Sequence, residues 1–144
     1  MENGLESKGF SVNFVEAVKS YFIKWLDFRS RSSRSEYWWA TLFITIAPAI
    51  LGYAIGFIIG FIFTLAGFSE SFILSSTMGV TIIINVFILV ASTALVIRRL
   101  HDVDRTGWWY LIVFTIIGII PLLIWFCTKG TQGMNRFGQD PLNE

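Results

Sequence analysis

This sequence predicts an all-α membrane protein: an N-terminal amphipathic interfacial helix followed by three transmembrane helical segments, the third kinked or re-entrant. Three observations carry that reading. Of the 144 residues, 54% are hydrophobic and only 15% charged, too apolar for an ordinary soluble domain of this length. No Asp, Glu, Lys or Arg occurs in residues 37–69, 71–97 or 106–128, and each run exceeds the roughly 20 residues that cross a bilayer as a helix. A soluble core helix would carry polar residues along one face, and these runs have almost none.

The chain divides as one membrane domain over 1–144. Residues 1–12 are polar and read as a flexible tail. The interfacial helix covers 13–27: Asn13 and Glu16 have capping-box spacing, and Val15, Val18, Phe22, Trp25 and Leu26 fall on one face. Glu16, Lys19, Ser20, Lys24 and Asp27 take the other face, a pattern suited to lying on lipid headgroups with Trp25 and the lysines as anchors. Arg29, Arg31 and Arg34 precede the first span, 37–66, where Ser33 or Ser35 can cap the helix and Glu36 complements its dipole. Tyr37, Trp38 and Trp39 belong at headgroup level. Gly52, Gly56 and Gly60 repeat at four-residue spacing, predicting close packing against the second span, 72–100, which carries Ser71, Ser75 and Gly79 in the same rhythm. Asn85, near the middle of that span, is expected to hydrogen-bond to a neighbouring helix. The third run, 108–128, is interrupted by Gly118 and Pro121, so that it is either a kinked span or a re-entrant hairpin, and 129–144 is a polar tail.

Basic residues set the topology. Six lie before the first span, none between the first and second, three in the next connection and two in the tail, which predicts a cytoplasmic N-terminus in a multi-pass protein. A third run that re-enters leaves all eleven on the cytoplasmic side. The first apolar run starts at residue 37 and is about 30 residues long, later and longer than a cleavable signal, so the N-terminus is expected to be retained.

The segment Arg98-Arg-Leu-His-Asp102…Arg105-Thr-Gly-Trp-Trp109 is a charged island between two apolar runs and holds the only histidine. Together with Phe28-Arg-Ser-Arg-Ser-Ser-Arg34-Ser-Glu-Tyr-Trp38 and Gly133-Met-Asn-Arg-Phe-Gly-Gln-Asp-Pro141, it resembles the domain of unknown function 805 family of small bacterial inner-membrane proteins. The resemblance covers the chain from about residue 20 onward. It implies about three helical segments in a bacterial inner membrane and brings no activity with it. Ser30 and Asp104 stand where the family commonly has glycine, and Gln139 where it has proline.

Function is constrained mostly by exclusion. A net charge of +1 gives no bulk electrostatic support for nucleic-acid binding. A single histidine and the lone Cys127 supply no metal-ligand set, and no cofactor motif is present. His101 and Asp102 are adjacent, so on a helix they point about 100° apart and do not form an acid–base pair unaided; no catalytic residues are predicted. The spans carry no ionisable residue except Cys127, which argues against a transporter, although an oligomeric pore lined by Thr77, Thr81 and Asn85 is the alternative. The leading expectation is a non-catalytic module. Arg29, Arg31, Arg34, Glu36, Arg98, Arg99, His101, Asp102, Arg105 and Trp108 would bind anionic lipid or a protein partner, and a homo-oligomer is a further possibility. Because the first span leaves and the second returns, Glu36 is expected to pair with an arginine of the island.

Overall fold

The computed structural model describes residues 11–142, and these form an all-α arrangement in the order α1 (Phe14–Ile23), α2 (Arg34–Leu65), α3 (Glu70–Asp102), a 3-10 helix (Gly107–Phe114) and α4 (Ile119–Cys127). The flexible tail expected over 1–12 lies, through residue 10, outside the described residues. Val12 is held, its N–H donating to Ser35 Oγ at 3.0 Å.

Helix starts follow the local chemistry. Asn13 and Glu16 form the capping box that opens α1, and Ser33 caps α2 by accepting from the Glu36 N–H at 3.2 Å. At the other end of α2 the Gly67 N–H donates to the Thr64 carbonyl and the Phe68 N–H to the Phe63 carbonyl. This Schellman closure needs the left-handed φ of +76° that Gly67 supplies, and Phe68 packs on Phe63 across it. Ser69 then caps α3.

α2 and α3 have 32 and 33 residues, hence lengths of about 48–50 Å, whereas the apolar bilayer core is about 30 Å thick. The excess is about twelve residues at each helix's charged end, and that is where burial concentrates. Glu36, Tyr37 and Ala40 of α2 and Ala91, Ala94, Leu95 and Arg98–Asp102 of α3 are buried, while the remainder of both helices has no buried residue. α1 packs on this base through Ala17 and Tyr21, whose hydroxyl reaches Ser92 Oγ at 3.2 Å. Tyr37 and Phe126 stack beside them, with ring centroids 4.7 Å apart. The face of α1 that meets the protein is therefore the 17–20–21 strip, which includes Ser20, assigned from periodicity to the solvent face. Val15, Phe22, Trp25 and Leu26 are left exposed.

Two packing expectations change. A Cβ added at Gly52, Gly56 or Gly60 would meet nothing within 4 Å. The glycine face does not touch α3; Gly52 and Gly56 instead line an apolar cleft of about 430 Å³ between α2 and α3, with Thr77 and Thr81 opposite. The helices are joined at the base and at the Phe63–Phe68–Phe72 turn and stand apart between. Asn85 does not reach a neighbouring helix, since its Nδ2 donates to the Thr81 carbonyl of its own helix at 2.8 Å. The third run is not one continuous helix: eight residues of 3-10 helix lead through a turn at 115–118 into the nine residues of α4. Gly118 sits where a Cβ would come within 2.0 Å of the Ile112 carbonyl oxygen, so the reversal requires glycine. Two helices, not three, are long and apolar enough to cross a membrane among the described residues.

Because Gly56 faces a cleft, Gly56→Ala is expected to leave the thermal unfolding midpoint in detergent unchanged or raised, by up to the ~1 kcal/mol that separates the two residues in helix propensity. A marked drop in the midpoint would mean that the cleft is closed in the membrane.

Candidate functional site

The charged ends of α2 and α3 meet α1, the end of α4 and the C-terminal segment in a buried ionic cluster. Arg98 and Arg99, successive on α3, are fully buried, and Arg31 and Asp102 nearly so. Each arginine does a separate task. Arg98 Nη1 donates to the carbonyls of Lys24, the last turn of α1, and of Asp27, the latter at 3.1 Å. Arg99 donates to the carbonyls of Trp125 and Phe126, both at 3.3 Å, and of Thr128, at the end of α4. The two residues thus satisfy helix C-terminal carbonyls that have no intrahelical donor, where positive charge also complements the dipole. Arg31 donates to the carbonyls of Gly133 and Gly138, at 2.7 and 3.2 Å, and of Thr131, which folds the C-terminal segment over the cluster.

Two carboxylates balance these three cations. Asp102 Oδ1 accepts from Arg31 Nη2 at 2.9 Å and Oδ2 from Arg99 Nη1. Glu36 Oε1 accepts from Ser20 Oγ at 2.7 Å and stands 4.0 Å from Arg98 Nη2. The expected link between the start of α2 and the end of α3 is present, made by Arg98, and Arg99 is committed to Asp102. Arg105 pairs with neither acid; its guanidinium lies 4.1 Å above the Trp125 ring. Trp108 is exposed and outside the cluster. Arg29 is exposed, with its backbone N–H bonded to Asp27 Oδ1 at 2.9 Å.

His101 and Asp102 do not act together. The imidazole Nδ1 is 3.3 Å from the Ser30 carbonyl and the ring stacks on Phe137, with centroids 3.9 Å apart and planes 3° apart. Asn135 Nδ2 donates to the His101 carbonyl at 2.9 Å, and Arg136 bonds the carboxylate and carbonyl of Asp104. Asp104 has φ +57°, a left-handed conformation that glycine adopts freely and that aspartate tolerates better than most residues. The C-terminal residues 131–140 are therefore part of the site, although periodicity and charge left them as a polar tail. The signal that could have found them was the turn-forming Gly133…Asn135…Gly138 pattern.

Beside the cluster lies a cleft of about 470 Å³ whose wall includes Arg34, Lys129, Trp38, Trp39, Asp102 and Asp140. Arg34 is exposed and its single hydrogen bond, to the Cys127 carbonyl, is long at 3.4 Å. Unlike Arg31, Arg98 and Arg99, Arg34 makes no ion pair among the described residues.

Two outcomes follow from the cluster. Asp102→Ala should destabilise the protein by about 3–5 kcal/mol, read as a lower unfolding midpoint in detergent, because two buried guanidinium groups lose their acceptor. Gly130→Ala should do likewise, since its Cβ would stand 2.0 Å from Asp102 Oδ2. Asp27 gives a pH dependence. Burial raises its carboxyl pKa, but hydrogen bonds from the Ser30 hydroxyl and from the N–H groups of Arg29 and Ser30, with Arg98 nearby, outweigh this and hold it below the ordinary value. Its contribution is present above the unfolded value of 3.8 and is lost as pH falls through the lower folded value, so acid titration below about pH 4 should destabilise wild type more than Asp27→Asn.

The family profile described as "Protein of unknown function (DUF805)" matches residues 25–139. The Escherichia coli K12 inner membrane protein YhaI is 38% identical over 130 residues, covering 89% of this chain and 93% of the relative. The E. coli K12 inner membrane protein YhaH is 30% identical over 129 residues, covering 89% and 94%. No solved structure matches. All three sequence patches that suggested the family meet in the cluster: Arg31 and Glu36 from the first, Arg98–Asp102 from the second, and Gly133–Gly138 from the third. The chain belongs to the DUF805 family of bacterial inner-membrane proteins.

Proposed function

We propose that this protein is a non-catalytic membrane module that binds anionic phospholipid headgroups in the cleft lined by Arg34 and Lys129. The observation that carries the reading is the contrast between the arginines. Arg31, Arg98 and Arg99 are buried and engage carbonyls and carboxylates inside the fold, although Arg98 Nε and Nη2 have no hydrogen-bond partner among the described residues, whereas Arg34 and Lys129 face an open cleft walled by Trp38 and Trp39, with Asp102 and Asp140 also on its wall. Paired cations beside indole rings at the end of a span suit a phosphate at headgroup depth with its acyl chains alongside the aromatic belt.

The topology belongs to the same proposal. α2 leaves and α3 returns, so their charged ends share one face, which the positive charge assigns to the cytoplasm together with the N-terminus. The 3-10 helix begins five residues after α3 ends, and α4 finishes where Arg99 bonds the Thr128 carbonyl. Segments of eight and nine residues reach only about 13–16 Å, half a bilayer core, and the exposed Phe114, Ile116 and Ile117 are at their turn. A re-entrant hairpin fits this better than a third crossing, and it leaves all eleven basic residues cytoplasmic. The exposed apolar side chains of α1 would then rest in the interface.

For the topology, single cysteines in a Cys127→Ser background would be probed in intact cells with a membrane-impermeant maleimide. Phe68→Cys should label, and Ser7→Cys and Gln132→Cys should not; labelling of Gln132→Cys alone among these two would establish a third crossing. For the headgroup site, native mass spectrometry with phosphatidylglycerol should show retained lipid that is lost in Arg34→Ala/Lys129→Ala and is weaker with phosphatidylcholine. Equal retention by wild type and the double variant would refute the site.

A further inference from the structure

Asn85 poses a problem that the single chain leaves unsolved. It lies fifteen residues from the start of α3 and thirteen from Arg98, hence near mid-membrane if α3 crosses as proposed above. Its side chain is exposed, and among the described residues it makes one hydrogen bond, from Nδ2 to the Thr81 carbonyl. An amide has two donors and two acceptor lone pairs, so most of its capacity points into hydrocarbon, where no water can satisfy it.

The residues around it form a seam. Met78, Ile82, Asn85 and Leu89 follow one another at spacings of four, three and four, the rhythm that keeps one face of a helix toward a parallel partner, and all four are exposed. At 100° per residue the centre of this face lies about 170° from Val80 and about 130° from Ile84, which line the α2–α3 cleft. Ser75 extends it by one more small residue toward the outer end. Toward the base it stops at Ser92, which is taken up by the Tyr21 hydroxyl.

We propose that this face of α3 binds the same face of a second copy of this chain, with Asn85 hydrogen-bonded to Asn85 across the two-fold axis. The choice of occupant follows from symmetry and chemistry. Identical chains insert with the same orientation, so a two-fold axis along the membrane normal brings the two α3 helices together in parallel with every residue opposite its equivalent depth. An amide is self-complementary, donor to acceptor in both directions, so Asn85 meets a partner that is at the right depth by construction. A charged or purely apolar partner would lack that match. A single polar residue in such a seam also fixes its register. The contact from Ser75 to Leu89 spans about 21 Å, within the bilayer core.

The test uses the full chain in native membranes with Cys127→Ser, which removes the only cysteine. Single cysteines at Met78, Ile82 and Leu89 should form disulfide-linked dimers on mild oxidation, while Phe72→Cys and Ile83→Cys, exposed on other faces, should not. Separately, dimer dissociation measured by energy transfer between labelled chains in liposomes should rise on the order of three- to tenfold in Asn85→Leu, and Asn85→Gln should restore much of it. Cross-linking on both faces alike, or on neither, would overturn the proposal. So would an Asn85→Leu variant that dimerises as wild type does. Neither result bears on the headgroup cleft, whose test is made on Arg34 and Lys129.

Discussion

Three guanidinium groups are buried in this protein, and among the described residues only two carboxylates, Asp102 and Glu36, come within 4.0 Å of them; the rest of the fold is arranged to make that tolerable. Removing a charge from water is costly unless it is paired and hydrogen-bonded. The cost is offset in part by backbone carbonyls at helix ends and turns, which accept from the guanidinium groups. Arg98 serves the end of α1, Arg99 the end of α4, and Arg31 the turns of the C-terminal segment. Each cation needs oxygen acceptors and each chain end needs donors, and the two needs are met together at Arg31 and Arg99, while Arg98 keeps Nε and Nη2 buried without a hydrogen bond, the latter 4.0 Å from Glu36. Asp102, held between Arg31 and Arg99, ties these assignments together.

This arrangement explains how so small a membrane protein acquires a defined tertiary structure. Between lipid-facing helices there is no hydrophobic driving force, and α2 and α3 indeed leave a cleft between them. Order comes from their ends. The Schellman turn with its phenylalanine cluster closes the far end, and the ionic cluster with the Tyr37–Phe126 contact closes the base. The helices are longer than a bilayer because the first turns of α2 and the last turns of α3 belong to that base.

The same logic separates structural charge from functional charge. An arginine-rich motif at a membrane face invites a reading as a lipid site, yet most of its arginines are consumed internally. The groups proposed above for binding are Arg34 with Lys129 and the adjacent indoles on the cleft, and the amide of Asn85 on α3. Both are polar groups whose hydrogen-bonding capacity the chain itself leaves open.

By itself the sequence determined the membrane class, the two long apolar helices, the cap at Asn13, a serine cap at residue 33 or 35, and the juxtaposition of Glu36 with the Arg98–Arg99 pair. These follow from local rules: charge-free length, hydrogen-bonding side chains next to helix starts, and the fact that a hairpin returns to the side it left. The family patches were legible too, but not what joins them. Only the tertiary structure decided that Gly52, Gly56 and Gly60 face a cleft, that the third run turns back at Gly118, and that the C-terminal segment closes over Arg31 and His101. Spacing records which residues share a helix face, but not what lies opposite that face. Nor does composition reveal that a guanidinium's partners are carbonyl oxygens, because every residue has one.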